Sequence, residues 1–79
     1  MQEEISRERA AVIDGAVIKV MKTNKDHAVS QKDLTIKVME MISIFKAQPN
    51  QIKIRVEDLI LKQYMRRDDN DRTKFWYIA

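Results

Sequence analysis

Residues 13–22 read Ile-Asp-Gly-Ala-Val-Ile-Lys-Val-Met-Lys, and this stretch decides how the chain folds. At about 100° per residue, four apolar side chains share one face of a helix: Ile13, Ala16, Val17 and Val20. The same geometry turns Lys22 about 170° away from the centre of that face. The pattern predicts a helix from Arg7 to Thr23 that buries its apolar face and directs the Lys22 amine into solvent.

Periodicity alone leaves the role of Lys22 open, because most outward-facing lysines are simply solvated. Gly15 and Ile18 are also predicted to point outward. Ile18 lies one turn before Lys22, and it is either a single exposed apolar side chain or part of a contact patch. Residues 1–7 are mostly polar, and we expect them to form a flexible lead-in.

The composition is that of one small domain. The chain has 79 residues and no cysteine, which excludes disulfides and thiolate metal sites. Its single histidine, His27, cannot form a histidine cluster, and no serine or cysteine is placed to use it in catalysis. We expect no cofactor. With 15 basic and 12 acidic residues the net charge is +3, which does not require a nucleic-acid partner. No apolar run is long enough for a membrane span.

Two further helices are predicted. The second begins at Ser30, whose hydroxyl can cap it, with Asp33 at the capping-box position. Its buried stripe is expected to contain Leu34, Val38, Met41, Ile42 and Phe45. The third helix is introduced by Pro49 and runs from Asn50 to Gln63. Its buried face is expected to contain Ile52, Val56, Leu59 and Ile60.

Two short strands follow, Tyr64–Arg67 and Lys74–Ile78, and the four residues 68–71 between them are typical of a turn. Residues 27–29 are a candidate third strand. Phe75 and Tyr77 are expected to close the helices, with Trp76 on the opposite face. The predicted fold is mainly α with a small β-hairpin: a winged helix with a three-helix core and a C-terminal wing.

Many winged helices bind DNA through their third helix, so the outward face of that helix is informative. Here it carries two apolar and two acidic residues: Ile54, Glu57, Asp58 and Leu61. Base edges and phosphates call instead for basic and amide side chains. This composition disfavours DNA binding. Because basic residues on the wing could still contact phosphates, a nucleic-acid-binding winged helix is the alternative function. Ile54 and Leu61 favour packing against another domain or protein.

Five segments carry a resemblance to a known family: 8–9 (Glu-Arg), 13–22, 52–60 (Ile-Lys-Ile-Arg-Val-Glu-Asp-Leu-Ile), 64–68 (Tyr-Met-Arg-Arg-Asp) and 75–79 (Phe-Trp-Tyr-Ile-Ala). In order and spacing they resemble the C-terminal winged-helix domain of cullins, the scaffolds of multisubunit ubiquitin ligases. Residues 13–22 resemble the signature around the neddylated lysine, roughly Ile-x-Ala-Ala-Ile-Val-Arg-Ile-Met-Lys. The resemblance covers residues 8–79 and implies that they form the C-terminal module of a larger scaffold.

The resemblance implies that Lys22 accepts the ubiquitin-like modifier of the neddylation pathway through an isopeptide bond, and that the domain is a substrate and regulator, not an enzyme. It implies four kinds of partner besides the modifier: a RING-box protein, a conjugating enzyme, its cullin-binding co-factor and a cullin-exchange factor. It also implies residence in the cytoplasm and nucleus. The remaining alternative is an interaction module in which Lys22 is inert.

The chain departs from the family pattern at several positions. Thr23, Asn24 and Lys25 follow Lys22 where cullins tend to read x-Arg-Lys, and Lys19 replaces the usual arginine. These departures suggest a divergent cullin with altered docking surfaces. The candidate protein-contact residues are Ile18, Lys19, Lys25, Ile54, Leu61, Trp76, Tyr77 and Ala79.

Overall fold

The computed structural model describes residues 5–78 and confirms the winged-helix order of elements. These are α1 (Arg7–Thr23), β1 (Val29–Ser30), α2 (Gln31–Met41), α3 (Pro49–Leu61), β2 (Met65–Arg67) and β3 (Lys74–Tyr77). The strands form one antiparallel sheet in the order β1-β3-β2. No helix in this part of the chain is both long and apolar enough to cross a bilayer.

α1 has the predicted bounds and is the central helix of the core. Ser6 caps it, because the Ser6 hydroxyl accepts a hydrogen bond of 3.2 Å from the Arg9 N–H. Its buried residues are Ile13, Ala16, Val17, Val20 and Met21. The outward orientation predicted for Ile18 is wrong: this side chain is half-buried and packs against the core. It lies only about 60° around the helix from Met21, which is close enough to reach the apolar face.

α2 is shorter than its apolar pattern predicts. The Ser30 hydroxyl caps it by accepting a 3.1 Å bond from the Asp33 N–H, and Leu34 and Val38 are buried. The helix ends at Met41, where Ile42 adopts an extended backbone with φ −90° and ψ 113°. This bend keeps Ile42 in the core but leaves Met41 42% exposed, so the predicted burial of Met41 is wrong.

Phe45 follows α2 instead of belonging to it, contrary to the predicted helical stripe. Its ring is half-buried against the core, and the Arg9 guanidinium lies over it, 4.8 Å from the ring centroid. Ile42, Ser43 and Ile44 are weaker helix formers than Met39, Glu40 and Met41 just before them, which is consistent with the helix ending there.

α3 begins at Pro49, which suits the first helical position because its missing N–H would have no partner there. The Gln48 N–H donates a 3.0 Å bond to Oε1 of Gln51. Three of the four predicted core residues are buried: Ile52, Val56 and Leu59. The fourth, Ile60, is half-buried against the core.

The end of α3 is a left-handed turn made without glycine. The Tyr64 N–H donates to the Leu59 carbonyl and the Gln63 N–H to the Ile60 carbonyl, both at 3.0 Å. These two bonds define a Schellman motif, in which the residue after the cap adopts a positive φ. Gln63 occupies that position with φ 67°, so α3 ends at Leu61, two residues before the predicted end.

The wing closes the open side of the three helices. Phe75 is buried on β3, with Val29 and Arg67 as its neighbours on the two flanking strands. Trp76 lies opposite Arg66 on the other face of the sheet, as the alternation predicted. Tyr77 is half-buried against the core, which confirms that Phe75 and Tyr77 close the helices.

Replacing Gln63 with glycine should stabilise the domain, because glycine adopts a positive φ without the strain that a Cβ atom causes there. We expect the free energy of unfolding to rise by about 0.5–1 kcal/mol, after allowing for the greater chain entropy of glycine in the unfolded state. Urea unfolding of Gln63→Gly and the matched Gln63→Ala variant measures this effect. The alanine variant keeps the Cβ and should not be stabilised; equal stabilisation of both would contradict the explanation.

Candidate functional site

Lys22 stands on the last turn of α1 and is exposed, as predicted. The two residues before it, Val20 and Met21, are 5% and 1% exposed and hold this turn against the core. Within residues 5–78, the Lys22 amine makes no hydrogen bond or ion pair. Its positive charge at the C-terminus of a helix is favourable because the final carbonyl groups carry partial negative charge.

The turn that carries Lys22 is fixed by two side chains that follow it. The Asn24 amide donates a 2.8 Å bond to the Val20 carbonyl, and the Thr23 hydroxyl donates a 2.8 Å bond to the Lys19 carbonyl. The Asn24 backbone N–H also lies 3.2 Å from the Val20 carbonyl and 3.1 Å from that of Met21. Carbonyls at a helix end otherwise lack intrahelical partners, so these bonds complete the turn.

Lys19 and Lys25 flank Lys22 at intervals of three residues, and both are exposed. Lys19 is on the same helix, whereas Lys25 lies beyond its end. Lys19 and Lys22 are therefore neighbours on the surface of α1, whereas Lys25 follows the end of the helix. The three amines are candidate nucleophiles, and something other than charge is required to distinguish them.

A charged network fixes α1 against α3. The Arg55 guanidinium donates from Nε to Asp14 Oδ1 at 2.7 Å and from Nη2 to Asp14 Oδ2 at 2.8 Å. Nη2 also donates to Asp58 at 2.8 Å, and the Lys62 amine lies 2.9 Å from the same Asp58 oxygen. Bonding to Asp14 raises the pKa of Arg55. The bond from Lys62, followed by the charge of Arg55, lowers the pKa of Asp58.

A second pair joins the wing to α3. Arg67 donates two hydrogen bonds to the Glu57 carboxylate, and these bonds lower the pKa of Glu57. Together with Asp58, both acidic side chains on the outward face of α3 are thus neutralised by cations of the same domain. The basic wing residue Arg67 is likewise occupied, which leaves it less able to contact a phosphate.

The apolar residues predicted to form a contact surface on α3 are exposed: Ile54 by 36% and Leu61 by 81%. The two sit seven residues apart and so occupy one face of the helix. That this face contacts a protein and not DNA stays a prediction.

The predicted contact residues of the wing are partly used by the fold itself. Trp76 is half-buried, and its indole N–H donates a 2.7 Å bond to Asp68, which lowers the pKa of that carboxyl. The Arg66 guanidinium lies over the indole, 5.8 Å from the ring centroid. Tyr77 packs on the core, and Ala79 lies outside the described residues.

An open groove of about 400 Å³ runs between α1 and α2 beside Lys19. Its lining residues are Lys19, Val20, Thr23, Asn24, Lys37, Glu40 and Met41. Helical periodicity does not predict this surface, because it places Met41 in the core, whereas Met41 is exposed. No group of histidine, cysteine and acidic side chains in residues 5–78 is arranged to hold a metal ion.

Two features of the site were missed by sequence reasoning. An asparagine just after the last periodic residue of a helix is a recognised stop signal, and it could have identified Asn24 as a cap. The residues of the Asp14–Arg55 pair are 41 positions apart in the sequence, so no local pattern predicts their contact.

Comparison with known proteins assigns the family. The family model of the cullin protein neddylation domain matches residues 8–71, which include β1, α2, α3, β2 and all of α1 except its first residue. The chain belongs to this cullin neddylation-domain family. The resemblance inferred from the five sequence segments is therefore confirmed.

Full-length relatives agree with this assignment. The neddylation domain is 33% identical to the "Putative cullin-like protein 1" and to "Cullin-2" of Arabidopsis thaliana, in each case over 98% of this chain. It is also 33% identical to "Cullin-4" of Dictyostelium discoideum over 98% of the chain. The chain spans only 10% of the length of the two Arabidopsis relatives and 9% of the third.

A solved structure shares the fold of this neddylation domain. It is described as "A Dual E3 Mechanism for Rub1 Ligation to Cdc53: Dcn1(P)-Cdc53(WHB)", and it superposes with a TM-score of 0.83 at 18% sequence identity. The match covers 99% of this chain and 100% of the other. At this identity the likeness supports the winged-helix fold and nothing finer.

Breaking the Asp14–Arg55 pair should loosen the contact between α1 and α3. We expect Asp14→Asn and Arg55→Met each to lower the free energy of unfolding by about 1–3 kcal/mol, because a partly buried charged group loses its bidentate partner. Urea unfolding of both variants and of the double variant gives the coupling, which we expect to be about 1–2 kcal/mol. Simple additivity of the two changes would show that the pair contributes no coupling.

The neddylation domain should lose stability in acid, since the pKa values of Glu57, Asp58 and Asp68 are all lowered by folding. A carboxyl with a lowered native pKa stabilises the fold above its unfolded pKa of about 4, and this contribution disappears as the pH falls through the native value.

Urea unfolding between about pH 5 and pH 2 measures this loss, and Asp58→Asn should lose less stability over that range than the unaltered domain. Asp69→Asn at the wing tip is the matched control, because the Asp69 side chain makes no hydrogen bond within the described chain. If the free energy of unfolding of Asp58→Asn fell with pH as steeply as that of the control, Asp58 would not contribute to the acid sensitivity.

Proposed function

We propose that this neddylation domain is the acceptor and regulatory domain of a cullin scaffold in a multisubunit ubiquitin ligase, and that Lys22 is its acceptor lysine. The observation that carries the proposal is the exposed and unpaired Lys22 amine on the last turn of α1, at the end of the stretch that resembles the family's acceptor signature. The match of the family model to residues 8–71 supports it.

The proposed chemistry is aminolysis of a thioester. The neutral Lys22 nitrogen attacks the carbonyl carbon of the modifier's C-terminal thioester, which a conjugating enzyme carries on a cysteine. The C–N isopeptide bond forms, the C–S bond breaks, and the proton left on the nitrogen ends on the departing cysteine thiol.

The domain supplies the nucleophile but no base to activate it. No carboxylate or imidazole from residues 5–78 bonds to the Lys22 amine. His27, the single imidazole, bonds at 3.0 Å to its neighbour Asp26. Proton removal is therefore a task for the conjugating enzyme, and the domain acts as a substrate and regulator.

The proposed partners follow from the family. A RING-box protein brings the charged conjugating enzyme to Lys22, and a co-factor related to Dcn1 recognises the winged helix. The matched Cdc53 structure contains Dcn1, which supports this last partner as a proposal for the present chain. Attachment of the modifier releases the domain from the RING region, activates the ligase and disfavours a cullin-exchange factor.

A conjugation assay on the full-length cullin bound to its RING-box protein tests the acceptor. We expect Lys22→Arg to abolish attachment, because the guanidinium keeps the charge but is not a nucleophile at neutral pH. Lys19→Arg and Lys25→Arg are matched controls that should remain modified. Mass spectrometry of the product locates the isopeptide bond.

The stability of the variants separates chemistry from folding. Exposed Lys22→Arg should leave the free energy of unfolding within about 0.5 kcal/mol of the unaltered domain. Val20→Ala should instead loosen the core and slow modification through instability. Undiminished attachment to Lys19 or Lys25 in Lys22→Arg would defeat the assignment, and an unmodified native domain would favour a purely structural module.

A further inference from the structure

The side chain of Asn24 fixes the end of the helix that carries Lys22. Its amide donates to the Val20 carbonyl at 2.8 Å, and its backbone N–H lies 3.2 Å from the same oxygen. Asn24 has φ −113° and ψ 33°, which departs from helical geometry and ends α1 at Thr23. Asn24 thus completes the hydrogen bonding of the last turn of α1 and prevents the helix from continuing into a further turn.

Asn24 also separates Lys22 from Lys25. The Asn24 carbonyl accepts a 3.2 Å bond from the His27 N–H, so Lys25 belongs to a different turn formed by residues 24–27. Lys22 remains on the helix, directly after the buried Met21. If the helix continued, residues three apart would be neighbours on its surface, and the two amines would occupy adjacent positions.

The end of α1 beyond Met21 frays easily, because Lys22 and Thr23 are exposed and their opening uncovers little apolar surface. The net contribution of one hydrogen bond of this kind corresponds to about a five-fold change in the equilibrium between the closed and open turn. The buried residues Val20 and Met21 restrain the turn on one side only. The Asn24 bond is therefore well placed to decide how long Lys22 keeps its direction.

We propose that Asn24 is a positioning residue that selects Lys22 over Lys25 as the acceptor of the modifier. This inference rests on the proposed function of Lys22. With the amide bond in place, the conjugating enzyme meets one amine in a fixed direction, whereas Lys25 lies in the separate turn of residues 24–27. Without it, the end of α1 opens, the direction of Lys22 is lost, and Lys25 enters the same space.

The serine and alanine variants of Asn24 form a matched pair that differs by a single hydroxyl. A hydroxyl at position 24 can donate to the carbonyl four residues earlier, as the Thr23 hydroxyl does to Lys19 and the Thr35 hydroxyl to Gln31, both at 2.8 Å. We therefore expect Asn24→Ser to restore the hydrogen bond to the Val20 carbonyl that Asn24→Ala removes.

The test uses the full-length cullin with its RING-box protein in a conjugation assay, with the share of Lys22 and Lys25 products measured by mass spectrometry. In Asn24→Ala we expect a rise in the Lys25 share and a fall in the Lys22 rate of up to about five-fold. Amide hydrogen exchange of residues 22–24 should accelerate by a similar factor. Asn24→Ser should return both readouts toward the native values.

The control variant Ile52→Val distinguishes the loss of the Asn24 bond from a general loss of stability. Ile52 lies on α3 and is 1% exposed, so its truncation destabilises the core at a distance from Lys22. This control should slow modification without changing the ratio of Lys22 to Lys25 products. An unchanged ratio in Asn24→Ala, or an equal shift in Ile52→Val, would overturn the positioning role of Asn24. Failure of the native protein to be modified at Lys22 would instead overturn the proposed function.

Discussion

The burial of one side of α1 is the constraint on which the rest of the domain depends. Ile13, Val17 and Met21 are spaced by four residues and are almost completely buried. They form one ridge along the helix, and α2, α3 and β3 all contact α1. Because helical geometry turns each residue by about 100°, burying Met21 carries Lys22 out of the core. The exposure of the amine is thus a consequence of packing.

A domain of this size buries only about 60% of its unfolded surface, so its apolar core has little stability to spare. Polar contacts add specific restraints where the apolar contacts end. Arg55 joins α3 to Asp14 of α1, and Arg67 joins the wing to Glu57 of α3. Asp68 closes the wing by accepting from Trp76. Each of these contacts fixes the relative position of two elements that meet at the edge of the core.

Local periodicity was sufficient to predict most of the fold, but not the points where tertiary contacts override it. The bounds of α1 and the winged-helix order were predicted because the apolar residues there repeat at helical spacing. The end of α2 was not, since Met41 fits the stripe and only the bend at Ile42 removes it from the core. The orientation of Ile18 failed for a related reason: a residue at the edge of an apolar face packs where neighbouring elements allow it.

The principal residue of the candidate site could be predicted from the sequence, but the contacts that hold its helix in place could not. Lys22 could be placed from the helical period and the family signature, whereas the Asp14–Arg55 pair depends on two helices meeting across 41 residues. The helical period also places two acids, Glu57 and Asp58, together on the outward face of α3, where they would form a negative surface. The structure pairs Glu57 and Asp58 with cations of the same domain, so their charge serves the fold.

This distribution of charge bears on the chemistry proposed for Lys22. Across residues 5–78, carboxylates hold Arg55, Lys62 and Arg67 in ion pairs, while the Lys22 amine has none. A carboxylate partner stabilises the protonated form of an amine and so opposes its attack on a carbonyl carbon. It would also have to be displaced before a thioester could approach. The unpaired Lys22 amine avoids both obstacles. Because it has no side-chain partner to orient it, its direction depends on the backbone of α1 that carries it.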